Sequence, residues 1–235
     1  MTRPRAVLRG GWPASAVDVV AVESSRVVED EVERAVDTVW ADQRRVAHGR
    51  GMRLEDAPAY RLERAAVRGG RLELGLSLEP YRVHSAMKVL HRHPRVRSHH
   101  HDRTLVVDAL VRSADGQVLL VRTPKPTGVE LQLVGGTASP AQRAITSADD
   151  LVEFIRERVL RALDGVRGLL EVREVRGLVE HEVGCVNLVI DVRLAVPAAE
   201  VLALGGAELV VVPAESLPQF LRDAPGYLPA VADLL

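Results

Sequence analysis

Residues 104–163 constrain the fold more than any other stretch: TLVVDALVRSADGQVLLVRTPKPTGVELQLVGGTASPAQRAITSADDLVEFIRERVLRAL. Residues 105–110 and 117–122 are short β-rich runs, joined by Ser-Ala-Asp-Gly at 113–116 and closed by Pro124 and Pro126. That pattern predicts a β-hairpin. A third strand is expected over 131–134, ending at Gly135-Gly136. Ser147 then stands where an N-cap is needed, with Asp149 and Asp150 in the following turn, where the helix dipole favours anions. The spacing of Leu151, Ile155, Val159, Ala162 and Leu163 predicts a helix to about residue 163, with these side chains facing the core. Strand, turn, strand, glycine loop, helix is the sequence order of a mixed-sheet α/β protein.

The flanking segments extend the pattern. A short strand is expected over 17–22, followed by a helix capped by Ser24 or Ser25 and running to about residue 45. Gly69-Gly70 sits inside 60–78 as the turn of another hairpin, with Leu72, Leu74, Leu76 and Leu78 alternating on one face. A helix over 80–91 follows. Two or three strands are expected over 169–196, then a short helix from Pro197, a strand over 208–212, and two short helices near Phe220 and Leu234. The fold class is therefore α/β (α+β), with an N-terminal extension over 1–102 (strand, helix, hairpin, short helix) packed on a core domain over 103–235.

Composition excludes several classes. The 235 residues are 47% apolar, enough for a substantial core. The formal net charge of −1 argues against a nucleic-acid binder, which carries a basic bias. No apolar run approaches the roughly 20 residues that span a bilayer. A single cysteine, Cys185, leaves no internal disulfide framework and fits a reducing compartment. The expectation is a soluble, cytoplasmic protein; Lys88 and Lys125 are the only lysines beside many arginines, as in a GC-rich bacterial genome.

Several stretches carry a family resemblance. ALVRSADGQVLLVRTPK at 109–125 is similar to the opening hairpin of the Nudix hydrolases, LQLVGG at 131–136 resembles the start of their signature, and AELVVVPAESLPQFL at 207–221 resembles their closing strand and helix. Leu74-Gly75-Leu76 and Tyr81-Arg82 resemble the lead-in of the UDP-glucose pyrophosphatase-like branch. The resemblance implies a Nudix-like α/β/α sandwich with a mixed sheet. It also implies a nucleoside diphosphate linked to another group, such as a nucleotide sugar, as ligand, and Mg²⁺ or Mn²⁺ as the metal that assists cleavage of the pyrophosphate.

The family's box reads Gly, five residues, Glu, seven residues, then Arg-Glu-x-x-Glu-Glu-x-Gly. Gly136 fits its opening and Gln142 takes the place of the first Glu. With a longer spacer, residues 160–165 fall on the Arg-Glu-x-x-Glu-Glu run and Asp164 alone keeps a carboxylate, while Arg161 sets a cation where a metal ligand belongs. A second register places Arg156-Glu157 on Arg-Glu, and Leu160-Arg161 then replaces the Glu pair. Glu153, Glu157, Arg161 and Asp164 share one helical face. Glu153, Glu157 and Asp164 are thus the candidate metal ligands, with Glu157 and Asp164 the candidate catalytic carboxylates. The competing expectation is a solvated face with a Glu157–Arg161 pair at i,i+4. By position in the family, Arg122, Lys125, Gly135, Gly136, His181 and Glu182 are the candidate substrate contacts.

One more segment stands out. HRHPRVRSHHHDR at 91–103 holds five of the eight histidines, and His99 and His101 are candidate ligands for a transition metal. Cys185 reads as a small buried hydrophobe. Three functions follow. The first is a non-catalytic or weakly active Nudix-fold module binding a nucleotide, needing no metal. The second is an active pyrophosphohydrolase using Mg²⁺ or Mn²⁺. The third is a metal binder using the histidine tract. Leu228, Val231, Leu234 and Leu235 are expected either to pack internally or to meet a second copy or a protein partner.

Overall fold

The computed structural model describes residues 3–26, 29–91, 93, 96, 102–125, 128–163, 166, 170–181, 184–204 and 208–235. The chain runs β1 (Arg5–Pro13), a 3-10 turn (Ala14–Ala16), β2 (Val17–Ala21), α1 (Asp30–Gly49), β3 (Pro58–Arg68), β4 (Arg71–Pro80) and α2 (Tyr81–Leu90). It continues through β5 (Leu105–Arg112), β6 (Gln117–Lys125), β7 (Gly128–Gln132), β8 (Val134–Thr137), α3 (Ala148–Ala162), β9 (Leu170–Glu180) and β10 (Val186–Leu194). α4 (Ala198–Ala203), β11 (Leu209–Pro213), α5 (Leu217–Asp223) and α6 (Leu228–Ala232) complete it. This is a mixed α/β fold.

The large sheet has the order β1-β9-β10-β5-β6-β11, with β8 also on β5 and β7 also on β6. β5 and β10 run parallel, and the other pairs in this sheet are antiparallel. β2, β4 and β3 form a second, three-stranded sheet. Alternation along β5 sends Leu105, Val107, Ala109 and Val111 to one face, where they meet α3 and the leucines of β4. Leu110 points to the other face, with Val118 and Leu120 of β6, and packs under α5 and α6. Leu228, Val231 and Leu234 are buried in that second layer, so these residues pack internally.

Most expected elements are present with shifted ends. Gly69 and Gly70 have φ of 55° and 78°, the left-handed values that the β3–β4 turn needs. Ser147 caps α3 by accepting a hydrogen bond from the Asp150 N–H at 3.2 Å. α3 buries Leu151, Phe154, Ile155 and Val159, as the helical spacing requires. Of the two or three strands expected over 169–196, the described residues form two, β9 and β10. Among the described residues, no helix is long and apolar enough to cross a membrane.

Four expectations differ. β1 was not anticipated: Gly10-Gly11 and two register shifts break its alternation, and pairing with β9 supplies what local pattern does not. α1 starts at Asp30 after Glu29, which makes no side-chain cap, and extends to Gly49. Ser25 does not cap it, because its hydroxyl donates instead to the Glu63 carboxylate at 2.6 Å. Leu78 is 52% exposed, so the leucine face of β4 is covered only as far as Leu76.

The opposite face of β4 holds buried charge. Ser77 donates to Glu63 at 2.6 Å, Arg61 pairs with Glu63 at 3.0 Å, and Arg26 approaches Glu79 to 3.1 Å. Burial works to raise the Glu63 carboxyl, but hydrogen bonds from Ser25 and Ser77 and the nearby Arg61 charge bring it down to about 2. Burial pushes Glu79 up to about 7 against the pull of Arg26. These contacts fasten the segment before α1 to the small sheet.

Candidate functional site

The glycine strand and the helix meet at one corner. Gly135 pairs with Asp108 across β5–β8, and Gly136 lies beside the Arg158 guanidinium: a Cβ there would stand 3.3 Å from it. Arg158 donates to the Thr137 carbonyl at 3.2 Å and to the Gln142 side-chain oxygen, and its guanidinium carbon lies 5.3 Å from the Phe154 ring centroid. Burial and the Arg161 charge both push the Arg158 pKa down.

Glu157 is engaged next to this group. Its carboxylate accepts a bond from Arg143, which, with the Arg143 and Arg161 charges, holds it below the usual carboxylate range. The expected Glu157–Arg161 pair does not form at contact distance. Arg143 takes that place because the loop between β8 and α3 carries it back over the helix face. Glu153 pairs with Arg156 at 3.6 Å. Arg143, Arg158 and Arg161 therefore crowd a face on which Glu157 is already committed. Among the described residues no three His, Cys, Asp or Glu side chains are placed to hold one metal ion.

The structure brings together only part of the sequence-predicted set. Gly135, Gly136, Glu153 and Glu157 belong to the β8–α3 corner. Arg122 lies on the other face of the large sheet, beside Val129, Leu131 and Phe220. His181 follows β9 and stacks on Tyr227 at 5.0 Å between ring centroids. The Lys125 backbone ends β6. Asp164, Glu182, His99 and His101 lie outside the described residues. In the histidine tract, His91 donates through Nδ1 to the Lys88 carbonyl at 3.0 Å, a local helix-end contact. Arg158 was missed. It bonds the Gln142 side-chain oxygen from 16 residues further along the chain.

A second polar group is buried between β5, β10 and the C-terminal helices. Asp108 accepts from the Tyr227 hydroxyl at 2.8 Å and from the Asn187 amide, and Tyr227 itself accepts from the Leu133 N–H at 3.2 Å. His84 and Asp102 form a buried hydrogen-bonded pair at the start of β5, where Thr104 also bonds Asp102 through its hydroxyl and its N–H. Cys185 is buried, and burial pushes its thiol up to about 12, as an inert thiol requires.

Burial raises the Asp108 carboxyl to about 6, against the lowering effect of Asn187 and Tyr227. The folded state thus keeps a proton that the unfolded chain releases near 3.8. The Asp108 contribution to stability falls as pH rises from about 4 to about 6, on the order of 3 kcal/mol, and stays lower above that. His181 acts oppositely. Burial lowers it to about 4, so its contribution is full above about 6.5 and is lost as pH falls toward 4. Asp108→Asn keeps an acceptor for Tyr227 and Asn187 without the charge. Urea unfolding is expected to show this variant more stable than the parent at pH 7.5, by about 1–3 kcal/mol, with that advantage lost at pH 4. A variant less stable at both pH values would contradict the assignment.

No family model matches this sequence, and no curated protein matches it. Solved structures give distant likenesses. The Nudix-hydrolase candidate Tm1382 aligns at 14% identity and a TM-score of 0.39 over 57% of this chain and 71% of its own. A Nudix hydrolase from Nitrosomonas europaea aligns at 15% identity and 0.37, over 56% and 87%. The MutT protein from Methanosarcina mazei Go1 aligns at 16% identity and 0.37, over 56% and 89%.

Proposed function

We propose that this chain is a Nudix-like module that binds a nucleoside diphosphate-type ligand at the β8–α3 corner without hydrolysing it. The carrying observation is the Arg143–Glu157 pair beside Arg158 and Arg161. A divalent cation there would meet guanidinium charge, whereas a phosphate would meet forked donors suited to it. Gly136 lacks a side chain where Arg158 comes closest, so phosphate oxygens could reach both the backbone and the guanidinium. The nucleotide reading rests on the sequence resemblance in 109–136 and 207–221.

The test is a panel of nucleoside diphosphate sugars offered with Mg²⁺ or Mn²⁺, with binding and turnover measured in parallel. Binding without turnover is expected, weakened roughly tenfold by Arg158→Gln. Metal-dependent turnover abolished by Glu157→Gln or Asp164→Asn would establish the hydrolase instead.

A further inference from the structure

A separate cleft opens on the sheet face away from α3. It has a volume of about 410 Å³ and is lined by Arg122, Val129, Leu131, Glu208, Val210 and Phe220. That size lies within the range of small-molecule sites, and so does the make-up of the lining, apolar walls with few polar groups. The walls come from three strands and a helix. Arg122 and Val210 belong to β6 and β11, which pair antiparallel, Val129 and Leu131 to β7, and Phe220 to α5.

The two charged groups are placed together by the backbone. The Arg122 N–H donates to the Glu208 carbonyl at 2.8 Å, so both residues sit at the same end of the β6–β11 pair. Their side chains nevertheless form no ion pair with each other, and neither has a partner among the described residues. Elsewhere in this protein arginines and carboxylates are commonly joined, as in Arg5–Glu180 at 2.9 Å and Arg64–Glu73 at 2.9 Å. Phe220, one of only two phenylalanines, is left half-buried over the same space. Val129 is 62% exposed beside it.

We infer that this cleft binds a small zwitterion with an apolar or aromatic body, its carboxylate on Arg122 and its ammonium on Glu208. Guanidinium and carboxylate stay apart because each awaits the opposite end of the ligand. The body lies on Phe220, Leu131 and Val210. A purely anionic ligand would meet Glu208, and a purely cationic one Arg122, so the dipolar molecule is selected over both.

The site is tested with three probes: phenylalanine, 3-phenylpropionate, which lacks the amine, and phenethylamine, which lacks the carboxylate. Binding is followed by the methyl resonances of Val129, Leu131 and Val210 and by calorimetry. Phenylalanine is expected to bind saturably and more tightly than either half-molecule. Arg122→Gln should weaken phenylalanine and 3-phenylpropionate roughly tenfold while sparing phenethylamine, and Glu208→Gln should do the converse. Both residues are at the surface, so neither change threatens folding. Absence of saturable shifts with all three probes would overturn the inference. So would binding that is unchanged in both variants, which would mark contact with the apolar wall alone. Nucleotide binding at the β8–α3 corner should persist in both variants, which separates this result from the fate of that proposal.

Discussion

Asp102→Ala is expected to destabilise the protein by about 3–5 kcal/mol, because it leaves the buried His84 ring nitrogen and the Thr104 hydroxyl and N–H without their hydrogen-bond partner. Asp102 has no exposed surface, and its oxygens serve His84, the Thr104 hydroxyl and the Thr104 N–H. Burial works to raise its pKa, but the bonds from His84 and Thr104 outweigh this and hold the carboxyl below its usual range. A lowered folded pKa gives stability that is present above about 4 and is lost as pH falls further. The loss is read as a shift in the urea midpoint at unchanged slope. A shift worth less than about 1 kcal/mol, the range of a surface pair, would contradict a buried hydrogen-bond network around Asp102.

Gly135→Ala should be comparably severe, at about 3 kcal/mol or more. A Cβ at Gly135 would overlap the Asp108 Oδ1 and the Val107 carbonyl oxygen, and would stand 2.7 Å from the Asp108 Cα. Two of these three atoms are backbone in a central strand, so the neighbours cannot rotate away. The damage would fall on β5–β8 pairing, the Asp108 network and the corner that carries Gly136. Gly49→Ala is the control. A Cβ there meets nothing within 4 Å, and at the end of α1 the change should be neutral or stabilising by up to about 1 kcal/mol. Thermal unfolding of the two variants side by side checks the contrast. Equal melting temperatures would contradict the close approach of β8 to β5.

Most of the strand and helix order was legible because it rests on local chemistry. The β3–β4 turn was marked by Gly69-Gly70, α3 by Ser147 and a clean apolar stripe, and the β5–β6 turn by residues 113–116. What local pattern does not encode was missed. β1 becomes a strand through β9, and Ser25 leaves its expected cap because Glu63, 38 residues away, competes for the hydroxyl. A signal for the buried charges did exist: Ser77 and Glu79 alternate with Leu76 and Leu78, a polar face on a strand whose other face is leucine.

The candidate site was only half legible. The helical face with Glu153 and Glu157 could be drawn from spacing, but their partners could not. Arg143 reaches Glu157 from a loop, and Arg158 reaches Gln142 across 16 residues. The sequence resemblance implied substrate contacts for Arg122 and His181, yet the alternation of β6 sends Arg122 to the opposite side of the sheet from α3. Spacing along a chain fixes which face a residue takes on its own element, not which elements share a corner.

The central proposal, that guanidinium groups fill the β8–α3 corner and keep a divalent cation from binding there, is tested most directly by titrating Mn²⁺ into the protein and following free Mn²⁺ by electron paramagnetic resonance, in the parent and in Glu157→Gln. The account predicts that the free-ion signal grows in proportion to added Mn²⁺ from the first addition, identically in both proteins. One equivalent of Mn²⁺ taken up by the parent and released in Glu157→Gln would contradict it.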